Sequence, residues 1–212
     1  MIIAVDGPAA SGKGTIARAL ARHYGLPHLD TGLLYRAVAA SVMRNDLTPE
    51  READAVACCD FDDSLMDDPW LRTDEVGRVA SIVSAHPLVR ASLFQRQRRF
   101  AQQPGGAVLD GRDIGTVIAP DADAKLFVKA TPTIRARRRH ADLRAQGSHA
   151  SLDKVLADIR SRDDRDMGRG AAPLRQAADA ALLDTSFLSI DAAVQRAIAL
   201  VEARTAAKAM TA

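Results

Sequence analysis

A glycine-rich segment near the start of the chain has the residue types and spacing that bind phosphate. The segment reads Gly7-Pro8-Ala9-Ala10-Ser11-Gly12-Lys13-Gly14-Thr15. Phosphate oxygens carry concentrated negative charge, so they require backbone N–H groups that converge on one point, and Gly7 and Gly12 permit the backbone conformations that this needs. A helix N-terminus and the ammonium group of Lys13 would add to the attraction. We therefore predict a P-loop that binds the phosphates of a nucleoside triphosphate.

The hydroxyl group of this segment departs from the commonest P-loop pattern. That pattern places Ser or Thr directly after the lysine, whereas here Gly14 follows Lys13 and Thr15 comes next. Thr15 is therefore a candidate either for Mg²⁺ binding or for direct phosphate contact, and the sequence leaves both roles open. A simple glycine-rich turn with an exposed lysine is the alternative, which is disfavoured because the apolar run 2–5 precedes the segment and a helical pattern follows it.

A second candidate site follows the apolar run 107–109, where the chain reads Asp110-Gly111-Arg112-Asp113. The carboxyl ends of parallel strands are where α/β sheets bind their ligands. An acid at such a position can hold the Mg²⁺ ion of a bound nucleotide, and an adjacent arginine can clamp a phosphate. Asp110 is therefore a candidate Mg²⁺ residue, directly or through water, and Arg112 a candidate phosphate clamp. Taken alone, the motif could equally be a polar turn after a strand.

Two further segments combine acids, hydroxyls and arginines. Asp30 and Thr31 precede an apolar helical pattern that contains Arg36, and helix capping alone would explain either of the first two residues. The mixed run 160–169 alternates arginine and aspartate, and such runs are usually solvated faces of helices. By themselves, these segments identify no ligand.

The elements that would position these residues form an α/β pattern. Short apolar runs at 2–5, 107–109, 126–128 and 181–183 predict strands, and the helical patterns between them are long enough to make parallel crossovers. Helices are expected to begin at Thr48-Pro49 and Thr131-Pro132, because a hydroxyl can cap the free amides and proline suits the first turn. We predict one domain over 1–212, with inserted helical segments at about 31–100 and 131–165, an Arg-rich helix from Thr131 to Gln146, and a last helix from Ile190 to about Ala203.

The composition narrows the class of protein. Hydrophobic residues make up 47% and charged residues 26% of the 212 residues, which is ordinary for a folded globular chain. The net charge is only +2, so we expect no nucleic-acid partner. Of the 29 cationic residues 24 are arginines, which suits phosphate recognition, but composition alone favours the arginine codons of a GC-rich genome, and the positions of the arginines must decide. Adjacent Cys58 and Cys59 predict neither a disulfide nor a metal site. No membrane span or signal segment is expected, and the default expectation is a cytoplasmic monomer.

Taken together and in order, these segments closely resemble the bacterial cytidylate kinases, a family of nucleoside monophosphate kinases. The resemblance covers nearly the whole chain and rests on the P-loop, LDTGLLYR, ASIVSAHPLVR, QRQRRF, LDGRDIGTVI, RARRR and RSRDDRDMGRGAAPL. Two departures are visible: Thr31 stands where serine is common, and the insertion between about Asp60 and Thr73 is shorter than in longer members. The resemblance implies a P-loop parallel sheet with an inserted subdomain that binds the acceptor nucleotide, at 31–100, and a lid at 131–165.

The resemblance also implies roles for individual residues. The loop 7–15, including Lys13, would bind ATP. Residues expected to bind the acceptor nucleotide are Asp30, Thr31, Arg36, Ser81, Arg90, Arg112, Asp113, Arg162, Asp166 and Arg169. Among them, the phosphate clamp would consist of Arg36, Arg112 and Arg169, the cytosine contacts of Ser81, Arg90 and Asp113, and the ribose contacts of Arg162 and Asp166. Lid arginines would be drawn from Arg135, Arg138 and Arg139, which share one helix face. Residues expected to act on the transferring group are Lys13, Arg112, Arg138, Arg139 and Arg169.

The predicted activity is transfer of the γ-phosphoryl group of ATP, with Mg²⁺, to the 5′-phosphate of CMP or dCMP. Two rival functions remain open. A kinase of the same fold could act on UMP, AMP or a small hydroxylated metabolite, although only an acceptor that carries phosphate explains several separate arginines. A nucleotide-dependent switch of the GTPase type would normally carry an Asn/Thr-Lys-x-Asp motif, and none of the five lysines lies in one.

Overall fold

Among the described residues, a central sheet has five strands, all parallel. The computed structural model describes residues 1–145 and 147–209. The strands are β1 (Ile2–Asp6), β2 (His28–Asp30), β3 (Ala107–Gly111), β4 (Ala124–Lys129) and β5 (Ala181–Asp184), in the spatial order β2-β3-β1-β4-β5. The predicted parallel α/β sheet is therefore confirmed. The sequence did not predict β2, because its three residues include His28 and Asp30 and form no apolar run.

Helices cover both faces of the sheet, which explains why β1 and β3 are apolar along almost their whole length. On one face, helix α1 (Lys13–Tyr24) and helix α8 (Ile190–Ala209) bury Leu20 and Val201 against Val5. On the other face, Ala4 and Leu109 pack in a second cluster. The inner strands β3 and β1 are thereby packed on both faces. Because all the strands are parallel, their carboxyl ends lie at the same edge of the sheet.

Between β2 and β3 the chain forms a helical layer with a core of its own. Its helices are α2 (Thr31–Arg44), α3 (Glu52–Ala57), α4 (Asp74–Val83) and α5 (Pro87–Ala101). Leu34, Leu71 and Val76 are fully buried in its core. The predicted helix start at Thr48-Pro49 is wrong: these residues form a turn in which the Arg51 N–H donates to the Thr48 carbonyl, and α3 begins at Glu52.

Residues 60–73 support this layer with two 3-10 helices, Asp63–Asp67 and Pro69–Arg72. Leu71 is fully buried and Trp70 packs partly against the same core. The guanidinium of Arg44 lies 5.0 Å from the Trp70 ring centroid and also pairs with Asp68. Residues 60–73 therefore close the core beside α2 with buried Leu71 and with Trp70, on which Arg44 stacks.

Two helices, α6 (Pro132–Ala145) and α7 (Leu152–Gly168), form a hairpin between β4 and β5. The predicted start of α6 is confirmed, because the Thr131 hydroxyl accepts a hydrogen bond from the Ile134 N–H. Gln146, the predicted end of that helix, lies outside the described residues. Helix α8 continues beyond the predicted Ala203 to Ala209. None of the helices in the described part of the chain is both long enough and apolar enough to cross a membrane.

Candidate active site

The loop between β1 and α1 has the backbone geometry of a phosphate cradle. Gly12 adopts a left-handed conformation, with φ of +90°, immediately before the first residue of α1. Ala10 also has a positive φ, of +58°, which is unusual for a residue with a side chain. A Cβ atom at Gly7 would overlap the carbonyl oxygen of Val128 on β4. Glycine at position 7 is therefore required by the close approach of β4, and the loop amides lie at the N-terminus of α1.

Lys13 lies beside the acid at the end of β3. Its Nζ is 3.8 Å from Oδ2 of Asp110, and the two side chains are only 15% and 2% exposed. Asp110 Oδ1 also lies 2.8 Å from Nε2 of His28 on β2. His28 was not predicted as a site residue, and its position beside Asp110 follows from the parallel pairing of β2 with β3. The predicted P-loop residue Lys13 and the predicted Mg²⁺ residue Asp110 thus lie side by side in a buried environment.

Burial and, after it, the positive charge of Arg112 lower the pKa of Lys13 to about 8, although the negative charges of Asp110 and Asp30 act in the opposite direction. The acids around Lys13 do not fully compensate the cost of burying its positive charge. A bound polyanion would supply that charge and raise the pKa again. The electrostatics of Lys13 therefore match a site whose ligand is strongly anionic.

Asp6, the last residue of β1, is a buried acid that the sequence analysis did not predict as functional. Its two carboxylate oxygens accept the backbone N–H groups of Ile114 and Gly115 at 2.8 and 2.7 Å. Burial raises the pKa of Asp6 to about 7, although these two hydrogen bonds act in the opposite direction. Asp6 therefore fixes the turn that directly follows Arg112 and Asp113. The available signal was a charged residue ending an otherwise apolar strand.

Asp113 joins two of the predicted acceptor arginines. Arg90, on α5, donates through Nη2 to Asp113 Oδ2 and through Nη1 to the Ser84 carbonyl at 3.2 Å. Nη2 of Arg169 lies 3.9 Å from the other oxygen of Asp113. The Arg90 guanidinium also stacks 5.3 Å from the ring centroid of Tyr35. The predicted cytosine contacts Arg90 and Asp113 are thus already paired with each other and buried.

Asp166, on α7, is the second acid that holds arginines. It accepts from Arg112 Nε at 2.7 Å and lies 4.0 Å from Arg169 Nη1. Burial disfavours the charged form of Asp166, but Arg112 and Arg162 outweigh it and lower the pKa of the carboxyl. Burial also lowers the pKa of Arg162 to about 10, and Arg112 contributes in the same direction. At this point of the site, the positive charges of the arginines outweigh the negative charge of Asp166.

Two buried guanidinium nitrogens in this cluster make no hydrogen bond to the described residues. Nε of Arg162 and Nη2 of Arg169 are buried without a hydrogen-bond partner in the described part of the chain. An unsatisfied buried donor on a charged group is costly, so such groups usually have a function. Their position beside Arg112 and Asp166 makes them candidates for binding an anion.

The start of α2 brings its three predicted residues to the same edge of the sheet. Asp30 caps the helix through the N–H of Gly32 at 3.0 Å, and the Thr31 hydroxyl donates to the Asp110 carbonyl at 2.9 Å. Arg36 donates to the Thr73 carbonyl at 2.9 Å and interacts electrostatically with Asp30 and Arg112. Thr31 is buried and its hydroxyl proton is used internally, whereas Asp30 and Arg36 lie beside the cationic cluster.

The arginines of α6 have three different environments. Arg135 is 3% exposed, forms a two-point ion pair with Asp163 on α7, and donates to the P-loop carbonyl of Ala9 at 3.1 Å. Arg138 donates to the side chain and the carbonyl of Thr185 at 3.0 and 2.6 Å. Arg139 pairs with Asp74, the first residue of α4. Arg135 thus joins α6 to α7, whereas Arg138 and Arg139 lie nearer to the surface.

Ser81 and Thr15 complete the predicted set. Ser81, on α4, is 5% exposed, and its Oγ accepts a hydrogen bond from Nε of Arg165 at 3.2 Å. Thr15 lies half-buried in the first turn of α1, and its hydroxyl makes no hydrogen bond within the residues described. The structure therefore brings the P-loop, the end of β3, the start of α2 and the acids and arginines of α7 into one continuous charged network.

Comparisons with known proteins agree with this arrangement. The family model described as Cytidylate kinase matches residues 3–203. A cytidylate kinase of Xanthobacter autotrophicus is 58% identical over 208 residues, which cover 98% of this chain and 100% of the relative. A cytidylate kinase of Rhodopseudomonas palustris strain TIE-1 is 56% identical and covers 96% of both chains.

One solved structure shows the same fold at low sequence similarity. It is a gluconokinase from Sinorhizobium meliloti 1021, with a TM-score of 0.56 and 16% identity over 100% of this chain and 97% of that one. At this identity the likeness concerns the fold alone. The family match over residues 3–203 and the relatives above 50% identity go further, and the chain belongs to the cytidylate kinase family.

Proposed function

We propose that the protein transfers the γ-phosphoryl group of ATP to the 5′-phosphate of CMP or dCMP, giving ADP and CDP or dCDP. The single observation that carries this proposal is the match of residues 3–203 to the cytidylate kinase family. The unsatisfied buried guanidinium donors on Arg162 and Arg169 agree with it. They belong to the same electrostatic network as Lys13, through Arg112. A donor triphosphate at the P-loop and a phosphorylated acceptor at these arginines would be neutralised together.

The proposed role of the cations is to bring two polyanions together and stabilise the charge of the transferring group. Lys13 and the loop amides hold the donor phosphates, while Arg36, Arg112 and Arg169 hold the acceptor phosphate. Positioned donors of this kind contribute about 3–4 kcal/mol each to transition-state stabilisation in well-studied enzymes. Attack of an acceptor phosphate oxygen on the γ-phosphorus, in line with the departing ADP, requires no covalent enzyme intermediate.

The donor set at the end of β3 fits a magnesium ion that is held mainly by phosphates and water. The described residues contain no group of three or more His, Cys, Asp or Glu side chains suited to a metal, but Asp110 is a buried carboxylate and Thr15 has a free hydroxyl beside the P-loop. Mg²⁺ commonly takes one or two protein oxygens and substrate phosphates. Asp110 and Thr15 would hold the ion, which supplies charge neutralisation on the bound ATP.

We further propose that residues 31–100 form the acceptor subdomain and that 131–165 form the lid. Three predicted acceptor residues, Arg36, Ser81 and Arg90, lie on helices α2, α4 and α5 of the first segment. The second segment supplies Arg138, whose Nη1 also lies 3.5 Å from the P-loop carbonyl of Ser11. We also propose that the monomer is the active unit.

The proposal is tested by measuring ADP release with CMP, dCMP, UMP, AMP, GMP and gluconate as acceptors. We expect CMP or dCMP to give the highest kcat/KM, and a clear preference for another acceptor would refute the assignment. Lys13→Met should reduce kcat by at least about 100-fold while leaving the unfolding curve unchanged. Arg90→Ala should reduce kcat/KM for CMP more than for UMP, and equal losses for both would contradict its role in base recognition.

A further inference from the structure

A contact between α7 and α4 involves a residue that has no role in the site described above. Nε of Arg165 donates to Oγ of Ser81 at 3.2 Å across 84 positions of sequence. Nη1 of the same guanidinium also donates to Oγ of Ser161, one turn earlier on α7, at 3.3 Å. Arg165 is exposed, and within the described residues it makes no ion pair with an acid.

This contact restricts what the Ser81 hydroxyl can do. A serine hydroxyl has one proton to donate and two lone pairs to accept with, and it rotates freely unless a partner fixes it. The guanidinium of Arg165 occupies one lone pair and polarises the hydroxyl through its charge. The remaining lone pair and the proton are therefore held in a defined direction. Because Ser81 is buried, that direction is set by the packing of α4 against α7 rather than by solvent.

We propose that Arg165 is a positioning residue for base recognition, which orients the Ser81 hydroxyl toward the pyrimidine of the acceptor nucleotide. This inference rests on the proposed function, since the family resemblance implies that Ser81 contacts the cytosine of the acceptor. It makes recognition of the base depend on a helix that belongs to the proposed lid, α7. Selectivity for the base would then be complete only when α7 lies against α4.

A second contact between the proposed lid and helix α4 does not involve Ser81. Arg139, on α6, pairs with Asp74 at the other end of α4. That pair also joins the proposed lid to α4, but it lies seven residues before Ser81 in the helix, about two turns away. Loss of a general link between lid and subdomain is therefore distinguishable from loss of the specific link to the Ser81 hydroxyl.

The test is a double-mutant cycle on Arg165 and Ser81, followed by steady-state kinetics with CMP and UMP. We expect Arg165→Ala to raise the KM for CMP by about tenfold, the size of one charged hydrogen bond, while kcat and the KM for ATP change less than about twofold. The same substitution in a Ser81→Ala background should change the KM for CMP by less than about twofold. The ratio of kcat/KM for CMP over UMP should fall in Arg165→Ala and stay low in the double variant.

Two control variants make the outcome unambiguous. Arg160→Ala removes an exposed arginine of the same helix that makes no hydrogen bond or ion pair in the described chain, and it should leave all constants unchanged. Arg165→Lys keeps the charge without the planar guanidinium, so an intermediate KM supports orientation by Nε. Equal increases in KM with and without Ser81 would overturn the inference and leave the proposed function intact. Absence of CMP phosphorylation by the wild-type protein would overturn both.

Discussion

Binding of ATP should depend on pH through the protonation of Lys13. In the free protein, burial and the charge of Arg112 lower the pKa of Lys13 to about 8. A bound triphosphate places negative charge beside the ammonium group and raises that pKa. Well below pH 8 the free protein already carries the proton, so Lys13 itself adds no pH dependence to the affinity. Above pH 8 the proton must be taken up on binding, so affinity falls as the pH rises.

The size of the effect follows from this pKa. At pH 9, one unit above the value of about 8, roughly a tenth of the free protein carries the Lys13 proton. If only that fraction binds the triphosphate tightly, the Kd for ATP rises about tenfold between pH 7 and pH 9, which corresponds to about 1.4 kcal/mol. Uptake should approach one proton per ATP at pH 9 and zero at pH 7.

Isothermal titration calorimetry with ATP and no acceptor measures both quantities. Titrations at pH 7, 8 and 9, each in two buffers of different ionisation enthalpy, give the Kd and the number of protons taken up. The matched control is Lys13→Arg, because a guanidinium keeps its charge over this range and its Kd should be independent of pH. An unchanged Kd with no proton uptake by the wild-type protein at pH 9 would refute the placement of Lys13 against the triphosphate.

Two stability effects follow from buried charges elsewhere in the site. Burial raises the pKa of Asp6 from 3.8 to about 7. Between these two pH values the native state therefore binds more protons than the unfolded state. The free energy of unfolding of the protein consequently falls as the pH rises from about 4 to about 7. Urea unfolding at pH 5 and pH 7 should show this slope in wild type, and an identical slope in Asp6→Asn would exclude Asp6 as its source. Arg135→Ala leaves Asp163 buried without its two-point partner, so it should cost about 3–5 kcal/mol in urea unfolding. The exposed neighbour Arg137→Ala should stay within about 0.5 kcal/mol, and similar losses for both variants would contradict the argument.

The parallel sheet could be predicted because its inner strands are buried on both faces. Such strands need continuous apolar runs, and those at 2–5 and 107–109 are visible without any structure. The edge strand β2 was not predicted, because three half-buried residues are too few to form a periodic pattern of apolar side chains. The misplaced start of α3 has a similar cause: Thr48-Pro49 has the chemistry of a helix cap, but here it forms a turn that precedes the helix by three residues.

The arginines show where sequence reasoning about the site ends. Arg135, Arg138 and Arg139 recur at helical spacing, which predicts a shared face. The structure instead gives Arg135 a buried acid as partner, Arg138 a threonine of the loop after β5, and Arg139 an acid at the start of α4. Long side chains that leave one helix face can reach different neighbours, and only the packing of those neighbours selects among them.

The sequence by itself was enough to predict the P-loop motif, the parallel strands other than β2 and the family, because each depends on local residue order or on an uninterrupted run of motifs. The tertiary structure decided how the charges pair. Asp113 holds Arg90, Asp166 holds Arg112, and Ser81 accepts from Arg165, across separations of 23, 54 and 84 residues. Such pairings depend on how helices from distant parts of the chain pack over the carboxyl edge of the sheet, and no local pattern specifies that packing.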